Sequence, residues 1–127
     1  PINNLEYIHD VTKVACDIYD YLNSKYKDFI DCNRDIVIAA ALLHDVGKYI
    51  EYTYKDGNIE YSDKAKYLRH PLCGAILASR YDLPDKLIHA IAVHSFEGKN
   101  SYISTESSIV KHADELVFAH IASKYHS

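Results

Sequence analysis

The sequence lacks several features that define large classes of proteins. No apolar run approaches the roughly 18 to 20 residues that a membrane-spanning helix needs, and no secretory signal is visible at the N-terminus. We find no internal repeat, low-complexity tract or linker in the 127 residues. These absences predict one domain over residues 1–127, which is long enough to bury a hydrophobic core.

Cysteine is scarce, and its spacing excludes the common cysteine-based sites. Cys16, Cys32 and Cys73 form no CxxC pair, which argues against a zinc ribbon or a thioredoxin-like redox motif. We expect three free thiols in a reducing cytosol. The predicted location of the protein is therefore cytoplasmic.

An excess of basic residues is also missing. Lysine and arginine number 14 against 18 acidic residues, which gives a formal net charge of −4 with neutral histidines. Proteins that grip the nucleic-acid backbone usually show a basic patch or a high isoelectric point. The composition therefore argues against broad, non-specific binding of nucleic acids.

Histidine, in contrast, is abundant. The chain has eight histidines, and histidine is both the commonest metal ligand and the residue that titrates near neutral pH. The twelve tyrosines are scattered along the chain and are predicted to be ordinary core and surface residues. The placement of the histidines is therefore the informative feature.

The apolar pattern predicts an all-α fold. An apolar stripe over residues 4–25 has the spacing of one helix face, and a second helix starts at Asn33 or Arg34 and ends near Gly47. Residues 49–62 surround an Asp-Gly pair and are a candidate for a short β-hairpin. Three further helices are predicted, from Pro71 to about Tyr81, from Pro84 to about Ser95 and from Thr105 or Glu106 to about Tyr125.

The second helix carries the first chemical signal. Residues 36–43 are apolar on every face, which predicts that this helix lies in the middle of the fold. It runs directly into His44-Asp45, and a carboxylate there is costly to bury unless it is paired or bound to a metal. These residues alone leave open a helix end at the surface, with His44 favoured by the helix dipole.

Residues 43–48, Leu-His-Asp-Val-Gly-Lys, resemble the HD-x-G-K signature of the HD superfamily of metal-dependent phosphohydrolases. Members of this family carry an early histidine, the HD pair, up to two further histidines and a late aspartate. The matching residues of this chain, in order, are His9, His44, Asp45, His70, His94 and Asp114. The resemblance therefore covers nearly the whole chain.

Helix geometry tests two of these residues independently. His94 shares a helix face with Leu87 and Ile91, whereas His89 lies on a nearly opposite face. Asp114 falls within the apolar arc of the last helix, where a lone carboxylate needs a partner. A metal would be that partner, and a buried ion pair is the alternative.

For His9 and His70, the sequence alone does not distinguish a metal ligand from an ordinary histidine. His9 borders the apolar stripe of the first helix, so a half-buried core histidine is the alternative to a ligand. His70 precedes Pro71, which suits the first turn of a helix, so His70 is predicted to be the extended residue that flanks the helix start. An exposed histidine in a turn is the alternative there.

The resemblance implies a dinuclear metal site. Four residues would hold the first ion, namely His9, His44, Asp45 and Asp114. Asp45 would bridge to a second ion held by His70 and His94. Imidazole and carboxylate ligands suit iron or manganese, which we expect first, and also zinc, cobalt or nickel. Two such ions would activate water and clamp the oxygens of a phosphoryl group.

Lys48 follows the HD pair, at a position that in the family often contacts the substrate phosphate. We therefore expect Lys48 and Asp45 to act in catalysis, while a helix-end lysine paired with the dipole is the alternative. The resemblance implies hydrolysis of phosphoester or phosphoanhydride bonds in nucleotides or short oligonucleotides. A homodimer is left open.

Within the superfamily, the His-Pro-x-x-Gly-Ala block at 70–75 and the segment 104–114 resemble the HD domain of bacterial ribonuclease Y and its stand-alone relatives. Two other functions fit the same ligand set. The first is oxygen activation, as in some dinuclear-iron HD proteins, and uptake of oxygen in the presence of substrate would indicate it. The second is a non-catalytic nucleotide-binding regulatory module, and tight binding of a nucleotide without turnover would indicate that function.

Overall fold

The computed structural model describes residues 4–121 and confirms the prediction of an all-α fold with a small hairpin. The elements are α1 (Asn4–Tyr26), α2 (Arg34–Leu43), α3 (Lys48–Glu51), β1 (Tyr52–Lys55), β2 (Asn58–Tyr61), α4 (Asp63–Tyr67), α5 (His70–Arg80), α6 (Asp85–Val93) and α7 (Thr105–His120), with a 3-10 turn at Phe96–Gly98. The last predicted residues of α7, 122–125, lie outside the described part. None of the described helices is long and apolar enough to cross a membrane.

Helix α2 lies at the centre of the fold, as its apolar sequence predicts. The side chain of Asn33 caps its start by accepting a hydrogen bond of 3.1 Å from the amide of Ile36. The helix packs against α1, α6 and α7. It ends at Leu43 instead of near Gly47, because residues 44–47 form the turns that lead into α3. This early end leaves the His44-Asp45 pair just beyond the last helical turn.

Small side chains allow the helices of the core to approach closely. At least one alanine in each of α1, α2, α6 and α7 is completely buried, and branched residues fill the space between these alanines. The completely buried apolar residues are Val11, Ala15, Val37, Ala40, Ala41, Ala90, Ile91, Val110, Ala113 and Val117. The core thus fixes the relative positions of the helices that lead to the HD pair, to His94 and to Asp114.

The hairpin forms within the predicted range. Strands β1 and β2 pair antiparallel, with Tyr52 opposite Tyr61. Asp56 and Gly57 connect them with positive φ angles of 52° and 81°, the geometry that makes Asp-Gly a favoured hairpin turn. Residues 49–51, the start of the predicted range, belong to α3 instead. Helix α4, which follows the hairpin, was not predicted.

Gly47 allows the turn after α2 to pack directly on α5. A methyl group on Gly47 would overlap the carbonyl group of His70 and lie 2.7 Å from the amide nitrogen of Gly74. Both neighbours are backbone atoms of the first turns of α5, so they have little freedom to move aside. This close approach brings Asp45, two residues before Gly47, next to His70.

We expect Gly47→Ala to destabilise the protein by about 1–3 kcal/mol or more, because the added methyl group forces two backbone segments apart. Urea unfolding measures the change. Gly57→Asn is the matched control, since Gly57 has open space around it and asparagine tolerates a positive φ, so its effect should stay within about 0.5 kcal/mol. Unchanged stability of Gly47→Ala would contradict the close contact with α5.

Candidate metal centre

Two histidines are fixed at the ends of helices by backbone hydrogen bonds. His44 follows α2 and donates from Nδ1 to the carbonyl of Ala41 at 2.6 Å, and His94 follows α6 and donates from Nδ1 to the carbonyl of Ile91 at 2.7 Å. Both rings are buried. Because a carbonyl can only accept, each Nδ1 carries a proton, and in the neutral ring each Nε2 presents a lone pair to the interior.

Asp45 lies between these two rings and His70. Its Oδ1 is 3.4 Å from Nε2 of His70 and 3.5 Å from Nε2 of His94. Its Oδ2 is 3.3 Å from Nε2 of His44 and 3.3 Å from Nζ of Lys48. The two oxygens of one carboxylate therefore face two different groups of side chains.

The first group contains Asp45, His70 and His94. Each of these residues offers a ligand atom within 4.8 Å of the other two, and the Nε2 atoms of the two histidines are 3.3 Å apart. Burial lowers the pKa of His70, which favours the neutral imidazole that a metal ligand must be. Two imidazole nitrogens and a carboxylate oxygen at these distances form a set that suits a transition-metal ion.

The second group contains His44, Asp45 and Asp114. Oδ1 of Asp114 lies 3.4 Å from Nε2 of His44 and accepts a hydrogen bond of 2.6 Å from the hydroxyl of Tyr7. Asp114 therefore lies on the inward side of α7, as predicted. The apolar arc of that helix is narrower than predicted, however, because Phe118 is 68% exposed.

Together the two groups form one cluster around Asp45, in which the buried Nε2 of His44 lies against two carboxylates. Nε2 of His44 is buried and has no hydrogen-bond partner among the described residues. Burial lowers the pKa of His44, but Asp114 and Asp45 outweigh burial and raise it to about 10. Burial likewise raises the pKa of Asp45, but His44 and His94 outweigh it and hold that pKa well below its usual range. Such an arrangement needs a cation between its members, either a proton or a metal, so the donor set fits a metal ion.

Helix α1 presents Tyr7, and not His9, to this cluster. Tyr7, Val11 and Ala15 form the buried face of the helix, whereas His9 is exposed. Among residues 4–121, no hydrogen bond or ion pair joins His9 to the cluster. The apolar stripe predicted for this helix is confirmed at Val11 and Ala15, which are completely buried, and fails only at its first residue, Leu5, which is 77% exposed. The ligand role that the resemblance gave to His9 gains no support from the structure.

His94 and His70, two further predicted ligands, both lie in the cluster. His94 points inward and His89 lies outside the cluster, where its Nε2 is 2.8 Å from the carbonyl of Tyr102. His70 is the first residue of α5, and Arg69 is the residue that flanks the helix start, so the predicted boundary was wrong by one residue. This shift leaves His70 buried beside Asp45.

Sequence reasoning missed one buried carboxylate in this region. Glu51 is 1% exposed and accepts hydrogen bonds of 2.6 Å from the amide of His70 and 2.9 Å from Nε of Arg69. In the sequence it belongs to the candidate hairpin, among residues with no apparent link to the HD pair. Only the packing of α3 against α5 brings it to the centre.

Comparison with known protein sequences identifies the family. A sequence model of the HD domain matches residues 7–119. The chain belongs to the HD domain family. The resemblance seen in residues 43–48 is thereby confirmed, and the match includes all the predicted site residues, from His9 to Asp114.

Two curated relatives are similar to most of the chain. The dihydroneopterin 2',3'-cyclic phosphate phosphodiesterase of Methanocaldococcus jannaschii is 36% identical over 115 residues, which are 87% of this chain and 44% of the relative. The tRNA (cytidine(56)-2'-O)-methyltransferase of Picrophilus torridus is 28% identical over 127 residues, which are 89% of this chain and 31% of the relative. The chain thus spans less than half the length of each relative. No solved structure matches it significantly.

We expect Tyr7→Phe to weaken metal binding and to lower the free energy of unfolding by about 1–2 kcal/mol, because Asp114 loses its hydroxyl donor. The matched variant His9→Ala should change neither property, since His9 is exposed. Elemental analysis after dialysis measures the bound metal, and urea unfolding measures the stability of each variant. Loss of metal from His9→Ala would show that His9 is a ligand after all.

Proposed function

We propose that this chain is a metal-dependent phosphohydrolase whose centre holds two divalent transition-metal ions, with iron or manganese expected first. The position of Asp45 carries the proposal, because its two oxygens face separate groups at 3.3 to 3.5 Å. One group adds His44 and Asp114, and the other adds His70 and His94. A carboxylate that offers one oxygen to each group is suited to bridge two ions.

Lys48 is the proposed partner of the substrate phosphate. Its Nζ lies 3.3 Å from Oδ2 of Asp45, and its side chain is 36% exposed, so the ammonium group lies at the edge of the cluster. Bound divalent ions would activate water and polarise the phosphoryl oxygens. Lys48 would stabilise the negative charge that develops on those oxygens during displacement.

The proposed substrates are phosphodiesters of nucleotide-like molecules, with 2',3'-cyclic phosphates as the first class to test. The name of the Methanocaldococcus relative supports this choice, since that protein acts on a cyclic phosphate diester. In the reaction a water oxygen bonds to phosphorus, one ring P–O bond breaks and the leaving sugar oxygen takes a proton. The product is a phosphomonoester. Short oligonucleotides, which are also phosphodiesters, and the phosphoanhydrides of nucleotides are the next substrates to test.

We also propose a cytosolic location, for which the three free cysteines Cys16, Cys32 and Cys73 are the support. Formation of a homodimer stays a prediction from the sequence.

The proposed function is tested by elemental analysis of anaerobically purified protein, together with an assay of 2',3'-cyclic nucleotides, linear dinucleotides and dinucleoside tetraphosphates. We expect about two transition-metal ions per chain and release of a phosphomonoester from at least one diester. Asp45→Asn should lose both ions and activity, because this carboxylate contacts both groups. His89→Ala is the control and should keep both, since His89 lies outside the cluster.

Each other outcome points to a defined alternative. Two irons with oxygen uptake and no hydrolysis would indicate the oxygen-activating HD chemistry. Tight nucleotide binding without turnover would indicate a regulatory module. A single ion would contradict the bridging role of Asp45 and the two-ion centre. Protein that binds no metal on reconstitution would contradict the proposal as a whole.

We expect Lys48→Ala to lower kcat by about 10²- to 10³-fold while the metal content stays unchanged, because the charge acts on the phosphoryl oxygens. Lys13→Ala is the matched control, since Lys13 also pairs with a carboxylate, Asp17, at 2.9 Å but on the exposed surface of α1. Steady-state kinetics and elemental analysis measure both variants. Full activity of Lys48→Ala would remove Lys48 from the catalytic residues.

A further inference from the structure

Three histidines direct Nε2 toward Asp45, but they are held in two different ways. His44 and His94 stand at the C-terminal ends of α2 and α6, where the carbonyl three residues earlier is free to accept from Nδ1. His70 stands at the N-terminal end of α5, where no preceding helical carbonyl exists. Some other group must therefore face Nδ1 of His70.

The side chain of Glu51 is the group that faces this nitrogen, although Nδ1 of His70 is buried and makes no hydrogen bond among the described residues. A single oxygen, Oε2, lies 3.4 Å from Nδ1 of His70, accepts from the amide of His70 at 2.6 Å and accepts from Nε of Arg69 at 2.9 Å. The carboxylate therefore contacts both the backbone and the ring of the same histidine. It also supplies the acceptor at the start of α5 that the side chain of Arg69 does not provide.

We infer that Glu51 is a positioning residue that orients His70 for metal binding. The inference rests on the proposed metal centre. A carboxylate beside Nδ1 favours the ring form that carries its proton on Nδ1 and leaves the lone pair of Nε2 free for a metal. The burial of Glu51 fits this role, since a buried carboxylate is costly and is retained where its contacts are needed. A carboxylate that only caps α5 is the competing explanation.

The test uses the metal-free protein titrated with Co²⁺, followed by calorimetry and by the visible absorption of the bound ion. We expect Glu51→Ala to weaken the binding of one ion per chain by about 10- to 100-fold and to leave the other ion unchanged. Glu51→Gln keeps an acceptor for the amide of His70 but loses the charge, and should weaken the same ion by a smaller factor. Its Co²⁺ absorption should also change.

Glu106 offers a matched control for the loss of a buried carboxylate. It is equally buried, accepts from the amide of Asn33 at 2.9 Å and lies 3.6 Å from Nζ of Lys86. Glu106→Gln should lower the melting temperature without altering Co²⁺ affinity or absorption. If Glu51→Ala does not fold, Glu51→Gln and Glu106→Gln are compared, and identical Co²⁺ absorption of the two would overturn the inference.

A double variant separates positioning from a general structural role. In the His70→Ala background, Glu51→Ala should not weaken the remaining ion further, because Glu51 acts through His70. A further loss there, or unchanged Co²⁺ binding in Glu51→Ala alone, would overturn the inference while leaving the proposed centre intact. Failure of the wild-type protein to bind Co²⁺ would instead overturn the proposed centre, and the inference with it.

Discussion

The carboxylate of Asp45 is the constraint on which the arrangement of the site depends. It is buried, and each of its oxygens approaches an imidazole nitrogen whose ring, at His44 and His94, is fixed by a backbone carbonyl. Acceptors packed against acceptors in a dry interior repel each other unless a positive charge lies between them. The fold therefore holds these groups in an arrangement that is stable only when a cation lies between them.

The helix ends at the cluster have opposite effects on the binding of a cation. Helices α2 and α6 both end at the cluster, and the partial negative charge of a helix C-terminus favours a cation. Helix α5 begins there, and its partial positive charge disfavours one. The buried carboxylate of Glu51 lies at that start and offsets the unfavourable end. One acidic side chain thus makes three helix termini compatible with the same charge.

The sequence was sufficient for the parts of this structure that depend on local pattern. The apolar run of α2, the Asp-Gly turn and the inward face of His94 all follow from spacing along one element, and all were predicted. In α1 the inward positions of Val11 and Ala15 were predicted, but that of Tyr7 was not, because Tyr7 and His9 lie close together near the start of the helix. Glu51 could not be found either, since its contacts join α3 to α5 and leave no trace in local sequence. The ordered HD pattern located the centre, but packing decides which side chain of each helix reaches it.

The hydrogen bond between Tyr7 and Asp114 joins residues that are 107 positions apart. Closing so long a loop is entropically unfavourable, and here it accompanies the packing of α1 and α7 against each other and against α2. A chain in which α7 has detached loses Asp114 from the centre, whatever the state of the other helices. Any ion that binds only the complete set stabilises the fully docked chain by mass action. With such an ion, metal occupancy and global folding would be linked equilibria, and scarcity of the ion would lower the population of folded molecules.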